Sequence, residues 1–130
     1  MPGASNMHKY AIDEIPQYLE PWPFDNPDSD YKILRGDPRA SGRLDFGGND
    51  VSHRLGIWAC SEGAFECTEL GDELQTIISG RLILTRVGGE SIECGPGDSI
   101  FTRKGERVIW NIQEDVTKVF FTYLGDGSPD

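Results

Sequence analysis

The chain has 130 residues, 37% hydrophobic and 10% aromatic, which suits one domain with one core and leaves little for a second. A net charge of -10 repels nucleic acid and anionic membrane surfaces, and Arg81, Arg86, Arg103, Lys104 and Arg107 are interrupted by apolar residues rather than gathered into a patch. Cys60, Cys67 and Cys94 form no Cys-x-x-Cys, and residues 1–6 lack the basic, apolar and small-residue order of an export signal. Reduced thiols in the cytoplasm are therefore expected. The longest apolar runs, Val119-Phe120-Phe121 and Ile77-Ile78, are far shorter than a membrane span.

Residues 1–50 read as an extended arm. Pro16, Pro21, Pro23, Pro27 and Pro38 remove backbone donors and break helices, so residues 12–19 hold a short helical turn at most. Tyr18, Leu19, Trp22, Phe24, Tyr31, Ile33 and Leu34 are too many apolar groups for a disordered tail. The arm is expected to pack on the rest of the chain or on a neighbouring subunit. Trp22, Phe24, Tyr31 and Ile33 predict a homodimer on that ground. Gly47-Gly48-Asn49-Asp50 closes the arm with a turn signal.

Residues 51–130 read as strand after strand. Alternation runs through 53–60 and 65–69 with a turn at Ser61-Glu62-Gly63-Ala64, then through 74–79 and 81–87 around Gly80. Gly88-Gly89-Glu90 makes a hairpin turn, and runs at 91–94, 99–102, 107–113 and 117–124 complete the series. Many short strands and no amphipathic helix predict an all-β barrel or sandwich, and closure would remove exposed sheet edges.

Two segments sharpen this reading. Glu73 is followed after six residues by Gly80, and Gly97 precedes Gly105 with the spacing of a second motif. The pattern resembles the two signatures of the cupin superfamily, which implies a single jelly-roll barrel, a double-stranded β-helix. In that alignment the usual histidine positions fall on Cys67, Glu69 and Val108, and the usual proline on Arg103. Trp58-Ala59-Cys60, Gly63-Ala64-Phe65, Ile77-Ile78-Ser79-Gly80-Arg81, Gly95-Pro96-Gly97-Asp98-Ser99, Lys104-Gly105, Trp110 and Val116-Thr117-Lys118 are similar to the small cupins resembling (S)-ureidoglycine aminohydrolase. That resemblance implies hydrolase or aminohydrolase chemistry on a nitrogen-containing metabolite.

The resemblance also implies a divalent metal held by imidazoles and a carboxylate. The only histidines, His8 and His53, lie outside both motifs. Two carboxylates and one thiol with no imidazole mix hard and soft donors, an uncommon metal site, so no metal or other cofactor is expected. Glu69 and Glu73 are the candidate catalytic residues. If both face the lumen, repulsion and desolvation raise at least one pKa into the range of general acid and base work; the other reading is a solvated turn at Leu70-Gly71-Asp72. Cys67 lies two residues before Glu69 on the same strand face, where a small lining residue is the better reading than a nucleophile. Gln75 would add an amide to that wall and Trp110 a ring over a ligand, Trp58 belongs to the core, and Arg81 and Lys118 read equally well as solvated edge charges. Two classes follow: an enzyme on a small nitrogen-containing metabolite, or a metal-free binding cupin without turnover. In either, the acidic pair predicts a small polar, amine- or amide-bearing ligand.

Overall fold

A computed structural model describes residues 7–24, 30–48 and 52–125, and among these it contains strands and turns but no helix. The strands are β1 (Glu20–Pro21), β2 (Lys32–Arg35), β3 (Ala40–Gly47), β4 (His53–Cys60), β5 (Gly63–Thr68), β6 (Asp72–Arg86), β7 (Ser91–Cys94), β8 (Ser99–Thr102) and β9 (Arg107–Tyr123). All pair antiparallel in one curled sheet of order β1-β3-β4-β9-β5-β2, with β6 joining β9 to β7 and β8. This is the cupin jelly roll.

Two long strands make the barrel. The pairs of runs expected around Gly80 and around residues 114–116 are each one continuous strand, because β6 and β9 bend through bulges and pair with each other along most of their length. The bend depends on Gly80. Its φ is +88, and a Cβ there would stand 2.1 Å from the Asp115 carbonyl oxygen, so no other residue fits without moving a backbone. Beyond the bend each strand serves the other side of the barrel: the first half of β9 pairs with β5 and its second half with β4. Strands that switch sides through bulges turn the corners of such barrels.

The region expected to be an arm is partly sheet. β3 pairs with β4 from Ala40 opposite Cys60 to Gly47 opposite Arg54, and β2 pairs with β5. The expected division between residues 50 and 51 thus falls inside an antiparallel pair of strands. Its turn signal lies partly outside the described residues. Proline did not prevent this, because β3 contains none and Pro21 lies in the two-residue edge strand β1, where a missing donor is tolerated. The segment leading into β1 is anchored by the Asp13 amide on the Ile78 carbonyl and by the Tyr10 hydroxyl on Asp45, at 2.9 and 2.6 Å. It holds a turn at residues 12 and 13 and no helix.

Alternation along β9 places Val108, Trp110, Ile112, Val116, Lys118, Phe120 and Thr122 inside. Ile77, Leu82, Ile112 and Val116 meet Cys60 and Cys94 in a dry cluster, and all three thiols are free and buried. The rest of the interior is not filled by hydrocarbon. It is the candidate site.

Candidate functional site in the barrel lumen

A cavity of about 320 Å³ opens into the lumen between β4, β5, β6 and β9. Its aromatic walls include Trp58, Phe65 and Trp110, and its charged lining residues are Arg54, Glu69, Glu73 and Lys118. β1 lies at one edge of the sheet path and β2 at the other. Trp22 and Phe24, just after β1, and Tyr31, just before β2, also line the cavity. Phe24 packs tilted and Tyr31 edge-on against Phe65 with centroids at 4.8 and 5.5 Å, and Trp22 meets Phe120 edge-on at 6.3 Å. These aromatics, expected to seek a partner subunit, have one within the chain.

The structure brings Cys67, Glu69, Glu73 and Trp110 to the cavity wall. Cys67 ends the inward face of β5 opposite Val108 on β9, and Glu69 follows directly, held by backbone bonds to Glu106 and Gly105 across the strand pair. The solvated-turn alternative for Glu69 does not hold: the exposed corner is Leu70, and Asp72 alone turns outward to Arg103 and the Lys104 amide. Glu69 keeps one oxygen, Oε1, buried without a hydrogen-bond partner among the described residues. Burial, reinforced by the neighbouring Glu73 charge, pushes its pKa from 4.5 up to about 7, against the opposing pull of Lys118 and the Trp110 side chain. Burial first and Glu69 second push the Cys67 thiol well above its ordinary range. It is therefore protonated and no nucleophile, in line with its reading as a small lining residue. Gln75 is fully buried behind the wall, its amide donating to Thr102 Oγ1 at 3.3 Å and its carbonyl accepting from Lys118.

Lys118 is the residue sequence reasoning missed. It is only 5% exposed, not an edge charge. Its ammonium bonds Gln75, stands 3.8 Å from Glu73 Oε1, and lies over the rings of Trp110 and Trp58 at 4.2 and 4.7 Å. A buried lysine needs such company, since an unpaired ammonium in an apolar wall would cost several kcal/mol. The available signal was its parity, because it lies an even number of residues from Trp110 and Phe120 on the inward face of β9. Trp58, expected in the core, is also half lining, and Arg54 on β4 and Tyr31 complete the polar groups missed. Burial, then the charges of Cys67, Glu69 and Glu73, raises the Tyr31 pKa as well. The wall expected to be acidic is thus balanced, two carboxylates against two cations.

The donor set does not fit the divalent metal that the cupin fold implies. Cys67 is held as a thiol, Glu73 and Gln75 are engaged by an ammonium, and Val108, at the remaining ligand position, is apolar. Among the described residues no three His, Cys, Asp or Glu side chains are grouped to hold an ion. No metal step is derived below.

A small jelly roll with charged groups set into an aromatic-walled lumen defines the class, a cupin domain. The chain belongs to the EutQ-like cupin domain family, whose model matches residues 47–120. It is similar to the EutQ protein of Clostridium difficile, at 21% identity over 73% of this chain and 82% of that one with a TM-score of 0.60. A putative ethanolamine utilization protein Q of Salmonella typhimurium follows, with 14% identity, coverage of 76% and 98%, and a TM-score of 0.56. A protein of unknown function from Pseudomonas syringae reaches a TM-score of 0.65 at 22% identity, over 80% of this chain and 43% of that one. At such identities the likeness establishes the fold. No curated protein matches the chain significantly. The finer resemblance to ureidoglycine aminohydrolase rests on the sequence motifs alone. Among the described residues no helix is long and apolar enough to cross a membrane.

Proposed function

We propose that the lumen takes up a small polar, nitrogen-bearing metabolite and that Glu69 exchanges a proton with it, without a bound transition metal. The observation that carries this is Glu69 itself: a carboxyl lining the cavity, with one buried oxygen that has no hydrogen-bond partner among the described residues and a pKa that burial pushes up to about 7. A group poised at neutrality can accept a proton and return it within one cycle. In the hydrolytic reading, Glu69 as carboxylate takes a proton from water as the oxygen attacks the carbon bearing the leaving nitrogen. It then gives that proton to the nitrogen as the C–N bond breaks. Glu73, tied to Lys118, holds the cation in place and keeps the Glu69 pKa high. This is the aminohydrolase-like chemistry that the motifs around Trp58 and Gly80 imply, in the reducing cytoplasm that suits three free thiols.

A second reading, a binding cupin without turnover, is favoured by Lys118. A cation already bonded to Gln75 and Glu73 stabilises the wall and leaves the reaction only one free carboxylate. Calorimetry and ammonia release on a panel of ureido, guanidino and amino compounds separate the two, with elemental analysis of the purified chain alongside. Ammonia release with an apparent pKa near 7, lost in Glu69→Gln, is the expected result. Binding without release supports the second reading. Stoichiometric metal removed by replacing Glu69 or Glu73, or no binding of any nitrogen compound, refutes the proposal.

A further inference from the structure

Among the described residues two buried side-chain polar atoms lack a hydrogen-bond partner, Nε of Arg54 and Oε1 of Glu69, and both residues line the same cavity. One is a donor and the other an acceptor when Glu69 is ionised. Each unmet group costs about 1–3 kcal/mol in a buried position, so their coincidence on the walls of one cavity marks where a ligand's polar groups belong. Arg54 is placed for it by β4, where it stands opposite Thr122 of β9 on the inward face. Among the described residues it makes no ion pair, although every other lining charge is engaged or neighboured: Lys118 by Glu73 and Gln75, Glu69 by the Glu73 charge. The two orphan groups have opposite charges yet form no ion pair with each other. Space for roughly ten waters, at about 30 Å³ each, lies within the same walls.

Building on the proposed function, we propose that the ligand is bifunctional: an anionic oxygen end, of carboxylate type, seats on the Arg54 guanidinium, and an N–H or O–H at its other end donates to Glu69 Oε1. Guanidinium presents N–H donors in a fixed planar fork that matches two carboxylate oxygens, so the anionic end fixes the orientation. The aromatic walls of Trp58, Phe65 and Trp110 cover the short carbon stem between the ends. A purely cationic amine would meet Arg54 and Lys118 as like charges, which sets this ligand class apart from the simple amines that an acidic wall would draw.

Four probes of similar size test this: β-alanine, glycolate, propionate and propylamine, titrated calorimetrically into the full chain. β-Alanine or glycolate is expected to bind at least about tenfold more tightly than both propionate and propylamine, the difference made by one charge-assisted hydrogen bond. Arg54→Met should erase the preference for a carboxylate and leave propylamine binding unchanged or tighter, with Arg54→Lys restoring part of it. Circular dichroism and a thermal melt on each variant verify that the barrel is intact. Propylamine binding as tightly as β-alanine, with no change in Arg54→Met, overturns this inference and leaves the proposed nitrogen-binding lumen standing. No binding of any probe or nitrogen compound to the folded wild type overturns both.

Discussion

Replacing Glu69 with Gln isolates the electrostatic cost of the lumen. A carboxyl moved from 4.5 to about 7 in the folded chain binds its proton more tightly there than when unfolded. Between those pH values the folded state therefore carries the extra proton. Stability contributed by this group is fully present below about 4.5, falls as pH rises, and is lost once pH passes about 7. At about 1.4 kcal/mol per pH unit the whole loss amounts to about 3 kcal/mol, an upper bound because water entering the cavity would screen the charge. Gln keeps the shape and never ionises. Glu69→Gln should thus match the wild type near pH 4 and exceed it by up to about 3 kcal/mol at pH 8, a urea midpoint higher by about 1–2 M. Urea unfolding of both proteins at pH 4, 5, 6, 7 and 8 measures this, and the difference between them cancels the titration of all other groups. A gap that stays constant with pH, or one that favours the wild type at pH 8, refutes a desolvated Glu69 and the proton-transfer role built on it.

Lys118→Met should destabilise the fold by about 3 kcal/mol in the same assay, because it strands Glu73 and the Gln75 carbonyl beside two tryptophans; adding Glu73→Gln should recover part of that loss, and a single-variant cost below about 1 kcal/mol contradicts a buried ion pair. Sedimentation at tens of micromolar should show a homodimer, with the contact on the outer row Phe101, Leu74, Phe121, Leu55 and Phe46, which lie opposite one another across five strands and include Phe101 at 60% and Phe46 at 58% exposed. Leu74→Lys should shift the sedimentation to a monomer without unfolding the barrel, and a wild-type monomer refutes the assembly.

What could be read from the sequence was what repeats along a strand or is demanded by a backbone. The runs at 53–60, 91–94 and 99–102 match β4, β7 and β8 residue for residue, because alternation and flanking turn residues define each end. The same logic breaks β6 and β9 in two, since Gly80 and the stretch Glu114-Asp115-Val116 look like turns until the strands are seen to bend rather than stop. β3 was hidden by the prolines around it, although its own eight residues contain none. Face and partner are different problems. Period two put Cys67 and Glu69 on one side of β5 and Glu73 and Gln75 on one side of β6, but it cannot say what stands across the lumen. Lys118 follows the inward parity of β9 as strictly as Trp110 and Phe120, yet from the sequence a solvated edge charge explains it equally well, because a lone charge belongs in water. That rule fails when neighbouring strands supply a carboxylate, an amide and two ring faces. Glu73, Gln75 and Trp58 stand on β6 and β4, which flank this half of β9, and Trp110 is carried in by the other half beyond the bend.

The same distinction explains how a cupin signature persists in a chain whose side chains do not suit the metal. Gly80 is required by geometry, since a Cβ there would collide with the Asp115 backbone. Glu73 is positioned by the strand that the glycine bends. Nothing in the backbone asks for imidazole at residues 67, 69 or 108, where a thiol and a valine are buried and a carboxyl is half-buried, with the strand register unbroken between Cys67 and Val108. The spacing is therefore a property of the barrel and the ligand set a property of its occupant. Here the cation beside Glu73 comes from the chain itself, on a tether from β9. An ammonium so held is bonded to Gln75 and its charge is balanced by Glu73, so it polarises a substrate far less than a divalent ion would. The reactive capacity of the lumen then falls to the groups left unmatched, Glu69 and Arg54, and it is their ligand, not an ion, that would complete the site.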